Sequence, residues 1–253
     1  MIKTYFVDGD KGGVGKSFTA RCLADSFLNY KVTGMPKIDR LIIVDADPMN
    51  PDVVGLNAYK NETVNEIQII AKEHPIKSED DWLDVINDLD PVKIDASDNV
   101  RIIFSLPSAA GLYINESVMD MMTLINPILI WVMGIDQSSV KQLSSRLDKS
   151  PIFYRSGFVL LNLKHGSQKS FEHWNQSDIK KDLLSGDDYE WQQIELPSMM
   201  SRAADLVGSL PFHRIVQEGS LPGSSIAIGT RTVTQSFRGI AGKKLAQLEK
   251  NND

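Results

Sequence analysis

The sequence predicts a single α/β domain in which a mostly parallel, twisted sheet is flanked by helices. Short apolar segments alternate with longer helical segments along the 253 residues, and such alternation favours right-handed strand–helix–strand crossovers. The apolar segments are rich in Ile, Val and Leu and lack a polar face, which is typical of strands buried on both sides. No linker rich in Pro, Gly or Ser divides the chain, so we interpret residues 1–253 as one domain.

The individual elements follow from the same patterns. The predicted strands are 3–7, 41–44, 100–104, 128–133, 158–162 and 191–196. The predicted helices are 16–29, 114–125, 138–147, 168–184 and a C-terminal helix at about 232–250, together with two acidic helices within 60–98. Helical segments separate most of the strands, as the crossovers of a parallel sheet require.

Composition limits the classes of protein that this chain can belong to. Apolar residues make up 42% and charged residues 24%, an ordinary globular mixture that excludes a disordered chain. The single cysteine, Cys22, excludes a disulfide scaffold and a zinc site built from cysteines. There is no apolar run of about 18 residues, and the N-terminus lacks the pattern of a signal peptide. We therefore expect a soluble, cytoplasmic protein.

The negative charge of the chain is concentrated in one segment. The chain has 27 Lys and Arg against 33 Asp and Glu, a net charge of −6. Residues 60–98, here called the acidic segment, contain eleven acids and four bases and carry −7, which leaves +1 for the remainder. This segment is either a solvated face or a docking surface for a basic partner. Helical spacing predicts two amphipathic helices in it, marked by Val64, Ile67, Ile70 and Ala71 and by Trp82, Val85, Ile86 and Leu89.

The strongest motif lies between the first predicted strand and the first predicted helix. It reads Asp10-Lys11-Gly12-Gly13-Val14-Gly15-Lys16-Ser17 and is called the phosphate loop below. Glycines allow a tight loop whose N–H groups point at phosphate oxygens, and the following helix adds its N-terminal partial charge. In such a loop Lys16 reaches the β- and γ-phosphates and the Ser17 hydroxyl binds Mg²⁺. Asp10 departs from the common template, which has glycine there.

The lysine ahead of the two glycines separates this loop from the common one. With Lys11, the run resembles the deviant phosphate loop of the ParA/MinD family of dimerising ATPases. The resemblance covers about residues 1–220 and implies ATP and Mg²⁺ as cofactors. It also implies a homodimer that closes on ATP, in which Lys11 crosses the interface to the nucleotide of the other subunit. A second positive charge then reaches the γ-phosphate only when two subunits meet.

A second motif ends the next predicted strand, Leu41-Ile42-Ile43-Val44-Asp45-Ala46-Asp47-Pro48. It resembles the second nucleotide motif of the same family. Carboxylates at i and i+2 on an extended strand end point to the same side. The resemblance implies that Asp45 holds Mg²⁺ through water and that Asp47 lies near the attacking water.

The third motif departs from the family pattern. In Val100-Arg101-Ile102-Ile103-Phe104-Ser105-Leu106-Pro107-Ser108, Ser105 stands where the family usually has an acid that holds the Mg²⁺ water shell. A hydroxyl can bond a metal-bound water but adds no negative charge. We therefore expect weaker Mg²⁺ binding and hydrolysis that is slow or absent, while ATP binding is retained.

Two further segments concern the nucleotide base. The strand ending at Asn162 resembles the family strand whose asparagine reads the adenine edge. We expect the residue on the other side of the base at either Leu196-Pro197 or Leu210-Pro211.

Our candidate catalytic residues are Lys11, Lys16 and Asp47, and our candidate metal ligands are Ser17 and, through water, Asp45. The candidate cofactor-binding residues are Gly12, Gly13, Val14, Gly15, Lys16, Ser17, Phe18, Asn162 and Pro197.

The cargo of such an ATPase follows less directly from the sequence. One hypothesis is plasmid or DNA partition, positioning or conjugative transfer, with a plasmid-encoded adaptor or DNA-transfer protein as partner. Residues 166–172 and 237–241 resemble the TraL/StbB-type branch of plasmid stability and conjugation proteins. Basic side chains suited to non-specific DNA phosphates are Lys141, Arg146, Lys149, Arg155, Arg231, Arg238, Lys243, Lys244 and Lys250.

Two other functions compete with DNA partition. A MinD-like membrane-cycling ATPase would use the apolar stripe Phe237, Ile240, Leu245 and Leu248. We weigh against membrane binding because Gly239 and Gly242 weaken that helix. The third hypothesis is an ATP-binding interaction switch that does not hydrolyse ATP, motivated by Ser105.

Overall fold

A sheet that is parallel at all but one edge forms the centre of the structure, which is a computed structural model. The structure describes residues 1–55, 58–88, 98–108, 110–149, 154–185, 188–219 and 223–250. The strand order in these residues is β3-β4-β2-β5-β1-β6-β7-β8, with only the β3–β4 pair antiparallel. The strands are β1 (Ile2–Asp8), β2 (Arg40–Asp45), β3 (Glu62–Val64), β4 (Ile67–Glu73), β5 (Val100–Ser105), β6 (Ile128–Met133), β7 (Ser156–Asn162) and β8 (Glu190–Leu196).

Helices cover both faces of this sheet, which confirms the predicted fold class. Those of the described residues are α1 (Lys16–Leu28), α2 (Tyr30–Thr33), α3 (Glu79–Asp88), α4 (Glu116–Ile125), α5 (Gln137–Lys149), α6 (Glu172–Asn175), α7 (Asp178–Ser185), α8 (Ser201–Ser209), α9 (Phe212–Glu218), α10 (Ile228–Leu245) and α11 (Gln247–Lys250). Each helix in this part of the chain is too short or too polar to span a bilayer.

The core has two layers, one on each face of the sheet. On one face, α1, α9 and α10 contribute Phe27, Phe212 and Phe237 to a cluster that includes Tyr5 of β1. On the other face, Phe6 of β1 joins a second cluster with side chains of α3, α4, α5 and α7. Successive residues of one strand are therefore buried on opposite faces, which explains why the strand sequences show no alternation.

The first half of the acidic segment corrects our prediction. Residues 64–71 were expected to be helical, but they form the β3–β4 hairpin. Asn65 and Glu66 adopt φ angles of 51° and 70°, as a tight two-residue hairpin turn requires. Ile67 is buried, Gln68 is exposed and Ile69 is buried. An apolar pattern this short fits both the helical and the strand periodicity, and the pairing of β4 with β2 favours the strand.

The described part of the second half of the acidic segment, Glu79–Asp88, is helical. In α3, Trp82 and Val85 are buried against the sheet, and the Trp82 ring lies 5.8 Å from that of Phe6. Leu89 lies outside the described residues. The acidic side chains of α3 begin in its first turn at Glu79, Asp80 and Asp81, where negative charge is favourable to a helix.

Other element boundaries differ from the predictions in informative ways. The six predicted strands are present, each extended by no more than two residues at either end. The predicted helix at 168–184 is instead divided into a 3₁₀ turn (Gln168–Ser170), α6 and α7. Near the C-terminus, α10 ends at Leu245 and α11 follows. Helices α8 and α9 were not predicted.

A buried ion pair attaches α11 to the amino ends of the strands. Arg101 of β5 donates from Nε to Glu249 Oε1 at 2.6 Å and from Nη2 to Oε2 at 3.0 Å. The Tyr5 hydroxyl donates to the same carboxylate, and burial raises the pKa of Tyr5. Burial also acts to raise the pKa of Glu249, but the hydrogen bonds from Arg101 and Tyr5 outweigh it and the pKa is lowered. The Arg101 side chain is only 1% exposed, and Glu249 is its counter-charge.

We predict that Glu249→Gln lowers the free energy of unfolding by about 3 kcal/mol, because it leaves the Arg101 guanidinium buried without a counter-charge. Urea denaturation at pH 7 measures this change. The matched control is Glu218→Gln, at the exposed end of α9, which should change stability by less than about 0.5 kcal/mol. Equal stability of the two variants would contradict the prediction.

Candidate functional site

The predicted site residues meet at the edge of the sheet where the parallel strands end. The phosphate loop joins β1 to α1, and Gly13 and Gly15 adopt φ angles of 87° and 106°, which glycine tolerates. A Cβ added at Gly12 or Gly13 would meet nothing within 4 Å, so the outer side of the loop is open. Val14 is 4% exposed and supports the loop from below. The loop therefore offers its backbone to a ligand while its one apolar side chain faces the protein.

Lys16 is buried at the base of the loop. Its ammonium donates to the Lys11 carbonyl at 3.0 Å and to the Ser108 hydroxyl at 2.8 Å. Burial lowers the pKa of Lys16, and the nearby carboxylates of Asp8, Asp47 and Asp10 oppose that shift. Both hydrogen-bond partners of the ammonium are neutral, so its charge remains available to an anion in the loop.

Lys11 points toward the beginning of α5. Its ammonium forms an ion pair with Asp136, the residue before that helix. Half of each side chain is exposed. The hydrogen bond between them raises the pKa of Lys11 and lowers that of Asp136. In the single chain, Lys11 thus interacts with α5 and not with the interior of its own loop.

The two acids of the second motif lie at the end of β2. Asp45 is buried, and its carboxylate accepts from the N–H of Val53 at 2.7 Å and of Asp47 at 3.3 Å. Burial raises the pKa of Asp45 to about 6. Asp47 is half-buried and accepts from the N–H of Met49 at 2.9 Å and of Asn50 at 3.1 Å. Both carboxylates therefore also shape the loop after β2.

Ser105 ends the central strand β5 between the two motifs. It is paired with Val7 of β1 on one side and with Asp45 of β2 on the other. It is 2% exposed. The position expected for a metal-binding acid is therefore next to Asp45, and this chain places a neutral hydroxyl there.

Asn162 contacts the phosphate loop from the end of β7. A Cβ on Gly15 would lie 2.3 Å from Asn162 Nδ2, so only glycine fits beside this amide. The Asn162 oxygen accepts from the Lys164 N–H at 3.1 Å, while Nδ2 is buried and has no partner among the described residues. This donor can therefore form a hydrogen bond with an acceptor on a ligand.

The strand register distinguishes the two proline candidates. Leu196 of β8 is paired with Asn162, so Pro197 follows at the same edge as the phosphate loop. Pro211 instead precedes α9, and the neighbouring Phe212 packs against Phe18 at a ring distance of 6.1 Å. Pro197, unlike Pro211, thus directly follows a strand of the sheet.

Two candidate residues differ in how they can serve a ligand. Phe18 packs its ring against Phe212 and Phe237, so only its backbone is available to the loop. Ser17 is half-buried in the first turn of α1. The described residues contain no cluster of three His, Cys, Asp or Glu that could hold a metal. A metal ion here would need ligand oxygens in addition to Ser17, as phosphates provide.

Sequence reasoning missed several polar contacts between the phosphate loop and α5. Asp10 is buried and accepts from the Ser138 hydroxyl at 2.9 Å. Asp8 accepts from the Gly9 N–H at 2.7 Å, lies 3.8 Å from Arg146 and has its pKa raised by burial. The departure of Asp10 from the glycine template was the available signal. Its partner could not be inferred, because it lies more than a hundred residues away in the chain.

The proposed basic surface is smaller than the sequence indicated. Arg238 is buried and donates to Asp25 at 2.8 Å. Arg231 donates to the Gly219 carbonyl at 2.7 Å, and Arg146 faces Asp8. These three arginines therefore interact with groups of the chain itself. The exposed members of the set are Lys141, Lys149, Arg155, Lys243, Lys244 and Lys250.

Comparison with known proteins gives a distant sequence relative and a clear fold. No family model matches the chain. Protein MobD of Acidithiobacillus ferrooxidans is 25% identical over 247 residues, which cover 95% of each protein. The structure of MinD from Aquifex aeolicus covers 94% of this chain and 97% of its own, with 12% identity and a TM-score of 0.49.

The fold of the chain is similar to that of a ParA family ATPase. The ParA family ATPase of Chlorobium tepidum covers 93% of this chain and 97% of its own, with 14% identity and a TM-score of 0.52. The chain therefore has the fold of a ParA-type ATPase. This confirms, at the level of fold, the resemblance to the ParA/MinD family that the phosphate loop indicates.

Proposed function

We propose that this chain is a cytoplasmic ParA-type ATPase that binds Mg·ATP at the phosphate loop and dimerises when it does so. The observation that carries the proposal is the convergence, at one sheet edge, of an open glycine loop, the buried Lys16 and the Asn162 Nδ2 donor, which has no partner among the described residues. An anion cradle beside a hydrogen-bond donor suits a nucleoside triphosphate, which has phosphates at one end and a polar base at the other.

Different residues of the site bind different parts of the nucleotide. Backbone N–H groups of Gly12–Gly15 and the Lys16 ammonium hold the phosphates, and the Ser17 hydroxyl faces Mg²⁺. Asn162 offers both a donor and an acceptor to the adenine edge, with Pro197 beside it. Bound ATP supplies the phosphoryl group, and Mg²⁺ neutralises its charge.

Lys11 supports the proposed dimer. Its ion pair with Asp136 is half exposed, and such pairs contribute about 0–1 kcal/mol. Release of Lys11 from Asp136 therefore costs little. The freed ammonium then donates to the phosphates held by a second copy of the chain, which links nucleotide binding to association.

Two residues bear on the rate of ATP hydrolysis, Asp47 and Ser105. Asp47 orients the attacking water, while Ser105 contributes no charge to hold Mg²⁺. We therefore propose slow turnover. A second candidate, the ATP-binding switch without hydrolysis, is favoured by the same Ser105 and by the local hydrogen bonds that already engage Asp47.

For the cargo, we propose plasmid or DNA partition, positioning or conjugative transfer, with an adaptor or DNA-transfer protein as partner. The exposed lysines of α5 and α10 support contact with DNA phosphates. A membrane-cycling role is disfavoured because Phe237, Leu245 and Leu248 of the proposed apolar stripe are buried in the core, and only Ile240 is exposed.

We predict that Lys16→Ala weakens binding of a non-hydrolysable ATP analogue with Mg²⁺ by about 100-fold, because charge-assisted hydrogen bonds to the phosphates are lost. Isothermal titration calorimetry measures the dissociation constants. Lys60→Ala, which removes an exposed lysine distant in sequence from the loop, should bind as the wild type does. Equal affinities for all three proteins would refute the nucleotide site.

We predict that the wild type elutes as a dimer with the ATP analogue and Mg²⁺ and as a monomer without them. Lys11→Ala should still bind the analogue, but its dimer dissociation constant should rise at least about tenfold, since a charge contact across the interface is lost. Size-exclusion chromatography with light scattering tests this. Lys37→Ala is the matched control, because Lys37 is also an exposed, ion-paired lysine. A wild type that stays monomeric at saturating analogue would contradict the dimer.

We predict that Asp47→Asn lowers ATP turnover by about 100-fold without loss of ATP binding, because a positioned carboxylate is removed. The asparagine retains an oxygen for the turn at Met49 and Asn50. Phosphate release measures the rate. Equal background rates in wild type and variant would instead identify the non-hydrolysing switch.

A further inference from the structure

Ser108 is the last residue of the third motif, in which only Ser105 was assigned a role from the sequence. It lies in the turn after β5, which is anchored on both sides by backbone hydrogen bonds. The Leu106 N–H donates to the Val7 carbonyl at 3.0 Å, and the Ala110 N–H donates to the Pro107 carbonyl at 3.0 Å. Leu106 and Pro107 are buried, whereas Ser108 is only half-buried. The fold therefore holds Ser108 in place while leaving its side chain accessible.

The hydrogen bond to Lys16 defines what the Ser108 hydroxyl can still do. Lys16 Nζ donates to Ser108 Oγ at 2.8 Å and to the Lys11 carbonyl at 3.0 Å. An ammonium has three N–H donors, and a hydroxyl that accepts one of them keeps its own hydrogen to donate. Lys16 and Ser108 thus present two converging donors to an acceptor between them.

The position of Lys16 identifies that acceptor. The lysine of a phosphate loop reaches the β- and γ-phosphates, and the Ser108 hydroxyl lies 2.8 Å from its ammonium. Ser108 follows β5, which lies between β1 and β2, and β2 leads to Asp47. Because the attacking water that Asp47 is proposed to orient approaches the terminal phosphate, Ser108 lies on that side of the site. Ser105, on the strand that leads into this turn, is neutral. Residues 105–108 thus contain two hydroxyl side chains and no carboxylate, so this segment does not repel a terminal phosphate.

We propose that Ser108 donates a hydrogen bond to the terminal phosphate and gives this chain its preference for a nucleoside triphosphate over a diphosphate. The inference rests on the proposed function and goes beyond it by naming a residue that discriminates between the two nucleotides. With a diphosphate bound, the Ser108 hydroxyl loses this acceptor and interacts with Lys16 alone. The discrimination is therefore the energy of one hydrogen bond to a charged group.

The test compares dissociation constants for the ATP analogue and for ADP, both with Mg²⁺, by isothermal titration calorimetry. In Ser108→Ala, the affinity for the analogue should fall about tenfold, which corresponds to about 1.4 kcal/mol. The affinity for ADP should change less than about twofold, because that complex lacks the contact. Ser108→Thr keeps the hydroxyl and should restore the wild-type ratio.

Ser138→Ala is the matched control, because it removes a hydroxyl that bonds Asp10 of the loop without contacting Lys16. It should leave the ratio of the two affinities unchanged. Equal weakening of both nucleotides by Ser108→Ala would overturn the inference and leave Ser108 as support for Lys16. A wild type that binds neither nucleotide would overturn the proposed function itself. If Ser108→Ala fails to fold, Ser108→Cys, which keeps the volume but donates poorly, provides the same comparison.

Discussion

Strands that are buried on both faces can carry polar side chains only near their ends, and the whole site depends on this constraint. Tyr5, Phe6 and Val7 of β1 are buried, and the first acid of this strand, Asp8, comes where the strand ends. The same holds for Asp45, Ser105 and Asn162 on three other strands. Because these strands are parallel, their polar ends gather at one edge. The phosphate loop begins at that edge, so its lysine lies among groups from distant parts of the chain.

The carboxylates at this edge accept hydrogen bonds from nearby N–H and O–H groups. Besides the exposed Asp136, four buried or half-buried carboxylates lie near the phosphate loop, a high density for a site proposed to bind an anion. Each of them accepts from donors that are not Lys16: Asp8 from Gly9, Asp10 from Ser138, Asp45 from Val53 and Asp47 from Met49 and Asn50. Lys16 is thereby left with two neutral partners. A buried ammonium bonded only to neutral groups is well suited to receive a phosphate.

The opposite edge of the sheet is stabilised by a different arrangement. There the buried Arg101 is neutralised by Glu249 of α11, and Leu248 of the same helix belongs to the core. The same packing buries most of the apolar stripe that the sequence offered as a membrane contact. Helix α10 therefore has a structural role, while Lys243 and Lys244 on it remain exposed.

The sequence by itself determined the fold class, the phosphate loop, the acids of β2 and the missing acid at Ser105. Each is encoded within a short segment whose geometry follows from local connectivity. The tertiary structure alone decided the β3–β4 hairpin, because residues 64–71 fit both periods and only pairing with β2 selects one. It also decided that Ser108 contacts Lys16 and that Lys11 contacts Asp136. These partners are 92 and 125 residues apart, and strand order, which no local pattern encodes, brings them together.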